Sequence, residues 1–165
     1  MLPDLLAPGL RLVVCGSAVG SASATAQAYY AGRGNRFWET LAVVELTPQR
    51  LSPSDYAKLL SFGIGLTDLL KTQAGNDDEV TFGAPDRDRL TASMERWQPG
   101  LLCFNGKRAA AEYLDAKSVK IGLQQRRIGQ TRLFVAPSTS GAARRSWALQ
   151  PWQEVARLVG SKWSG

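Results

Sequence analysis

An apolar run that breaks into a glycine-rich loop and then into a helix restricts a chain to few architectures. Residues 11–38, RLVVCGSAVGSASATAQAYYAGRGNRFW, carry that pattern. Leu12 to Cys15 is short and wholly apolar, as a buried strand is. The strand is expected to stop at Gly16, with a loop rich in glycine, serine and alanine filling Gly16 to Ala28. Gly16 and Gly20 let the backbone turn tightly and bring bare N–H groups close to a ligand. Tyr29 and Tyr30 close the loop beside Gly32, Arg33 and Gly34, and Asn35-Arg36-Phe37-Trp38 opens a helix. Open α/β sheets build a binding crevice in this order, at the carboxyl end of a strand. The loop is neither GxGxxG nor a phosphate-binding GxxxxGK[ST] loop. A π face beside exposed amides and a cation suits a flat, polar, anionic ligand such as a nucleotide.

The same unit recurs. Leu101 to Phe104 reads as a second buried strand, Asn105-Gly106-Lys107 as its turn, and a helix follows to about Asp115. Parallel strands would place Asn105 beside the first crevice; equally, Asn105 would serve to hold the turn through side-chain bonds to the backbone. Helices are also expected over Arg36 to Val44, from Ser52 to Gly63, from Pro85 through Leu90, Met94 and Trp97, and over Pro151 to Val159. Ser52 is a good N-cap, with Pro53 in the first turn and Asp55 placed as in a capping box. Gly63 to Leu70 is an apolar segment with one carboxylate, Asp68, and Gln73 to Glu79 is a polar loop. Val119 to Ile128 and Thr131 to Val135 read as two strands around Gly129-Gln130. Residues 1–10 look like a loose lead-in. The expected fold is a three-layer α/β/α sandwich around a mostly parallel central sheet, one domain over residues 1–165.

Charge and composition narrow the function. Residues 1–99 hold 9 basic and 11 acidic residues, a net of −2, whereas residues 100–165 hold 11 basic and 3 acidic, a net of +8. The second half thus offers a polyanion-binding face, or simply a basic, soluble surface. Pro137-Ser138-Thr139-Ser140-Gly141 with Arg144 and Arg145 is the chemistry of phosphate contacts, although Ser/Gly loops and solvated arginines are common. There is no histidine, which excludes Ser-His-Asp and Cys-His catalysis and any histidine metal site. Cys15 and Cys103 sit in strand-like runs and read as buried, reduced thiols rather than metal ligands. No metal and no cofactor is expected. No apolar run reaches the roughly 18 residues of a membrane span, and Met1-Leu2-Pro3-Asp4 lacks a basic signal region. The expectation is a cytoplasmic monomer, at the nucleoid if the chain is bacterial.

Five segments in register resemble the thymine-DNA glycosylase and mismatch-specific uracil-DNA glycosylase family. They are Gly16 to Trp38 with its YxGxGNRFW ending, Gly63 to Leu70 with Gly65-Leu66-Thr67-Asp68, Phe104 to Lys107, Val119 to Gln125, and Pro137 to Gly141. The likeness runs from about Leu10 to Leu158. It implies an enzyme that hydrolyses the N-glycosidic bond of uracil, or a related deaminated or mismatched base, after flipping it out of DNA into a pocket. Transferred residue by residue, it implies that Gly16 and Ser17 offer N–H groups to the base and that Tyr30 stacks on it. Asn105 would read its polar edge. Ser138, Thr139, Ser140 and Gly141 would grip the neighbouring phosphates, with charge from Lys107, Arg144 and Arg145.

Two positions depart from that family. Its first loop reads Gly-Ile-Asn-Pro-Gly, and the Asn orients the water; here Ala18 stands in that place. Ala142 stands where the family has a bulky residue that fills the gap left by the flipped base. Asn35 and Asp68 are the side chains that could hold the water instead. The related hypoxanthine-DNA glycosylase branch resembles this chain in lacking the first-loop Asn, and it depends on an Asn in its NRFW-type segment, which favours Asn35. Structural roles are available to both, Asn35 as a helix cap and Asp68 as the partner of an arginine. Other classes stay open: a non-catalytic binder of uracil-containing or abasic DNA, and a nucleotide-binding enzyme unrelated to DNA, for which no phosphate-loop or ribose motif is complete.

Overall fold

A computed structural model describes residues 2–75 and 81–160. Strand β1 (Leu12–Val19) lies inside a five-stranded sheet with β2 (Ile64–Ala74), β3 (Leu101–Asn105), β4 (Gly122–Ile128) and β5 (Thr131–Ala136), in the order β2-β1-β3-β5-β4. β2, β1, β3 and β5 run parallel, and β4 returns antiparallel at one edge. Successive side chains on a strand point to opposite faces, and the core divides accordingly. Leu12, Val14, Cys103 and Phe134 meet Phe37, Trp38 and Leu41 of helix α2 (Phe37–Val43) and Trp152 and Val155 of α5 (Gln150–Val159). Val13, Cys15, Phe104 and Val135 meet Leu90 and Met94 of α3 (Ala84–Trp97) and Ala109, Ala110 and Tyr113 of α4 (Lys107–Leu114). This is the three-layer α/β/α sandwich expected. The two thiols are free and buried on opposite faces, where desolvation pushes both pKa values up.

Several boundaries differ from expectation. β1 does not stop at Gly16 but continues to Val19, because β2 keeps pairing with it, Gly16 opposite Asp68 and Ala18 opposite Leu70. Pairing with β3 ends at Cys15 opposite Phe104. Among the described residues the β1–β3 pairing does not extend past Cys15, and that side of β1 faces the carboxyl end of β3. The expected loop holds a short helix, α1 (Ser21–Ala26), which has no amphipathic pattern to announce it. Pro53–Phe62 is a 3-10 helix, kinked at Asp55 and ended by Gly63 at φ +74°. Ser52 does not cap it; its hydroxyl lies 3.2 Å from that of Ser54. β2 runs on through Ala74, past the expected start of the polar loop, the rest of which lies outside the described residues from 76 to 80.

The lead-in is not loose. Leu2 is buried, and Leu5 exchanges two 2.9 Å backbone hydrogen bonds with Leu66 on the outer edge of β2. At the amino end of β1, the Arg11 guanidinium donates to the carbonyls of Phe62 (2.9 Å), Leu46 (3.0 Å) and Gly160. Those carbonyls close three segments that would otherwise end unpaired. No described helix is long and apolar enough to cross a membrane.

Candidate functional site

A cleft of about 760 Å³ opens at the carboxyl ends of β1, β3 and β5. Gly16, Ser17 and Ala18 line it from β1, Tyr30 and Asn35 from the loop before α2, and Asp68 from β2. Asn105 and Lys107 line it from the β3–α4 turn, and Ser138, Thr139, Ser140 and Ala142 from the segment after β5. Residues up to 126 positions apart in sequence are brought together because the four parallel strands point their carboxyl ends the same way. Arg144 and Arg145 lie outside this cleft, with Gly141, on the 3-10 turn Gly141–Ser146; both arginines are exposed. Among the described residues no group of three or more His, Cys, Asp or Glu side chains gathers as metal ligands would.

The floor is built around Gly16. A β-carbon there would stand 2.9 Å from Asp68 Oδ1 and 3.2 Å from Tyr30 Oη, so any other residue would have to displace these buried side chains. Tyr30 is held at φ +54°, a left-handed conformation that costs a residue with a side chain. Its ring packs on Phe37 with centroids 4.1 Å apart. The turn is fixed by Ala31 N–H donating to Ser23 Oγ (2.9 Å) and Asn35 N–H donating to Gly32 O (3.1 Å). Tyr30 Oη is buried; its O–H finds no acceptor among the described residues, while the Asn105 amide faces the oxygen as a donor. Burial, with the Asp68 carboxylate beside it, holds the Tyr30 phenol well above its usual pKa and keeps it neutral.

Asp68 is almost fully buried, with 3% of its side chain exposed, and pairs with Lys71 Nζ at 3.3 Å. Its partner is thus a lysine, not the arginine that the sequence suggested. Arg89 reaches the backbone carbonyls of Asp68 and Leu69 instead. Lys71 also lies 2.9 Å from Asp4 Oδ1 and donates to Tyr29 Oη at 3.2 Å. Asp4 accepts from the Thr67 hydroxyl at 2.7 Å, and Tyr29 Oη donates to Pro3 O at 2.8 Å. Desolvation raises the Asp68 pKa above its ordinary value, and Lys71 opposes it. Lys71, Asp4 and Arg89 escaped the sequence reading. Lys71 alone had a local signal, three residues from Asp68.

The two asparagines are both engaged, and differently. Asn35 Oδ1 accepts from Phe37 N–H at 2.9 Å, capping the start of α2. That donor fixes the amide's orientation and leaves the Asn35 NH₂ group for the cleft. Asn105 is clamped to Thr139, its Nδ2 donating to Thr139 Oγ1 (2.9 Å) and its Oδ1 accepting from Thr139 N–H (3.0 Å). Beyond that clamp Asn105 keeps one lone pair, and its amide faces Tyr30 Oη as a donor. Thr139 is fully buried and committed to Asn105, so it braces that side chain rather than gripping a phosphate. Gly106 makes the clamp possible: at φ +115° it lets the turn approach so closely that a β-carbon would meet Ser138 Cβ at 3.1 Å. The Ser138 and Ser140 hydroxyl oxygens accept from Ser140 N–H (3.1 Å) and Ala142 N–H (3.2 Å), so each keeps its own proton to donate. Lys107 is exposed at the rim. Walls of carboxylate, phenol and amide, with a rim of hydroxyls and cations, can hold a flat polar ring joined to an anionic chain.

The family model described as the Uracil DNA glycosylase superfamily matches residues 3–158. The fold is similar to the solution NMR structure of a candidate uracil DNA glycosylase from Methanosarcina acetivorans. The two share 23% identity and a TM-score of 0.65, with 96% of each chain covered.

Proposed function

The chain belongs to the uracil-DNA glycosylase superfamily, and from that premise we propose that it excises uracil, or a related deaminated base, from DNA and leaves an abasic site. The observation that carries the reading is the cleft itself. Gly16, Tyr30 and Asn105 line a cleft of about 760 Å³, and Asp68 and Asn35 line the same cavity. Hydrolysis of an N-glycosidic bond passes through an oxocarbenium-like sugar while the base leaves as an anion. Fixed donors aimed at that anion lower the barrier most. The backbone of β1 beyond its pairing with β3 and the amide of Asn105 line the cleft where such donors are needed. Ser138, Ser140 and Lys107 suit the phosphates flanking a flipped nucleotide, and Arg144 and Arg145 extend that surface along the DNA.

Ala18 has no polar atom with which to hold the nucleophilic water. Asn35 supplies a donor through its remaining NH₂, and Asp68 supplies an acceptor. A dissociative reaction depends more on where the water sits than on a strong base, so Asn35 takes the positioning role and Asp68 a supporting one. The test is incubation with single- and double-stranded oligonucleotides carrying one uracil, followed by alkaline cleavage. Strand scission at the uracil is expected. Tight binding without scission would make the protein a non-catalytic binder, and neither binding nor scission would sink the reading.

A further inference from the structure

Tyr30 combines two unfavourable features at one residue. Its backbone is left-handed, and its hydroxyl is buried with no acceptor for its proton among the described residues. Buried polar groups are nearly always bonded, so an unmatched proton beside a cleft points to a ligand atom. Tyr30 lines the cleft, its oxygen lies beside Gly16 and Asp68, and the Asn105 amide faces that oxygen as a hydrogen-bond donor. The Tyr30 ring already rests on Phe37, so an aromatic that only had to stack would need no hydroxyl here.

Building on the glycosylase reading above, we propose that the Tyr30 hydroxyl is a specificity-determining donor to an exocyclic carbonyl of the flipped base. A carbonyl oxygen has two lone pairs. The Tyr30 O–H takes one of them, while the spare Asn105 lone pair faces the adjacent ring N–H. The substrate class is then a base with a ring N–H beside a C=O, the pattern that deamination creates. An amino group in that place would confront the Tyr30 donor with no lone pair to offer. A site with buried polar groups rejects ligands that leave them unpaired.

Tyr30→Phe keeps the ring and deletes the hydroxyl, so it separates this role from stacking. Binding of wild type, Tyr30→Phe and Tyr30→Ala is measured by fluorescence anisotropy on two duplexes. One carries 2′-fluoro-2′-deoxyuridine, which resists cleavage, and the other a tetrahydrofuran abasic analogue. Thermal unfolding is recorded for all three proteins. Tyr30→Phe is expected to bind the uracil duplex about tenfold more weakly, the scale of one lost hydrogen bond, and the abasic duplex unchanged. Its melting temperature should hold or rise, because a buried unpaired group has been removed. Equal binding of the uracil duplex by wild type and Tyr30→Phe overturns the proposal, as does a fall in melting temperature with parallel losses on both duplexes. A wild-type protein that binds the uracil duplex no better than a matched undamaged one overturns instead the glycosylase reading on which the proposal rests.

Discussion

What each polar residue in the cleft can still do depends on which of its atoms the fold has already used. Asn35 spends its acceptor on Phe37 and keeps its donors; Asp68 spends one oxygen on Lys71. With Asn35 holding the water, Asn35→Ala should slow single-turnover excision by about two orders of magnitude, the effect of losing one positioned catalytic group. Asp68→Asn should cost less than that. The reverse ranking in a rapid-quench experiment would move the role to Asp68. Asp68 also predicts a pH effect whose sign is fixed. Its folded pKa lies above the ordinary 3.8 because of burial, so over that interval the folded protein keeps a proton that the unfolded chain releases. Stability therefore falls as pH rises through the folded pKa, and ionised Asp68 is a liability at neutral pH. Asp68→Asn should melt higher than wild type at pH 7, and the difference should shrink as the pH drops towards the ordinary carboxylate range. Lys71→Met removes the opposing charge and should push the Asp68 transition to still higher pH.

The elements around the cleft separate what sequence alone reveals from what it hides. Both strand–turn–helix units were legible, because an unbroken apolar run followed by glycine or asparagine has few other solutions. α1 was not, since SASATA carries no periodicity. The continuation of β1 through Gly16 was not either: glycine argues locally for a break, and the pairing with β2 that overrides it lies some 50 residues away in sequence. The same distance problem hid the Asn105–Thr139 clamp and the Asp4–Lys71–Asp68 chain. The segment expected to be a loop from Pro137 to Ser146 holds the 3-10 turn Gly141–Ser146, on which Arg144 and Arg145 are exposed. Arg144→Ala with Arg145→Ala should weaken binding to any duplex without altering base preference. It should also flatten the dependence of log affinity on log salt by about two, one per lost phosphate contact. A salt slope identical to wild type would place the DNA elsewhere.

At the scale of the whole molecule, chemistry and cohesion occupy opposite ends of the sheet. The cleft lies at the carboxyl ends of the strands, and Arg11 ties three carbonyls together at the amino end. Arg11→Ala should therefore lower unfolding free energy by about 2–3 kcal/mol, as expected for lost charge-assisted bonds in a partly buried setting. Denaturant titration would show this loss, while excision at low temperature stays at the wild-type rate. The charge asymmetry belongs to this scale too, since no single residue creates it. It should make association with DNA fast at low salt and markedly slower at moderate salt, which stopped-flow mixing would show. The segment from Leu2 to Leu5 has its own bearing on the molecule as a member of a crowded solution. A sheet edge with unsatisfied amides is adhesive, and Leu5 covers the outer side of β2 at Leu66. A chain trimmed through Leu5 would leave that margin open to its neighbours, and light scattering would report clumping before any enzyme assay registered a defect.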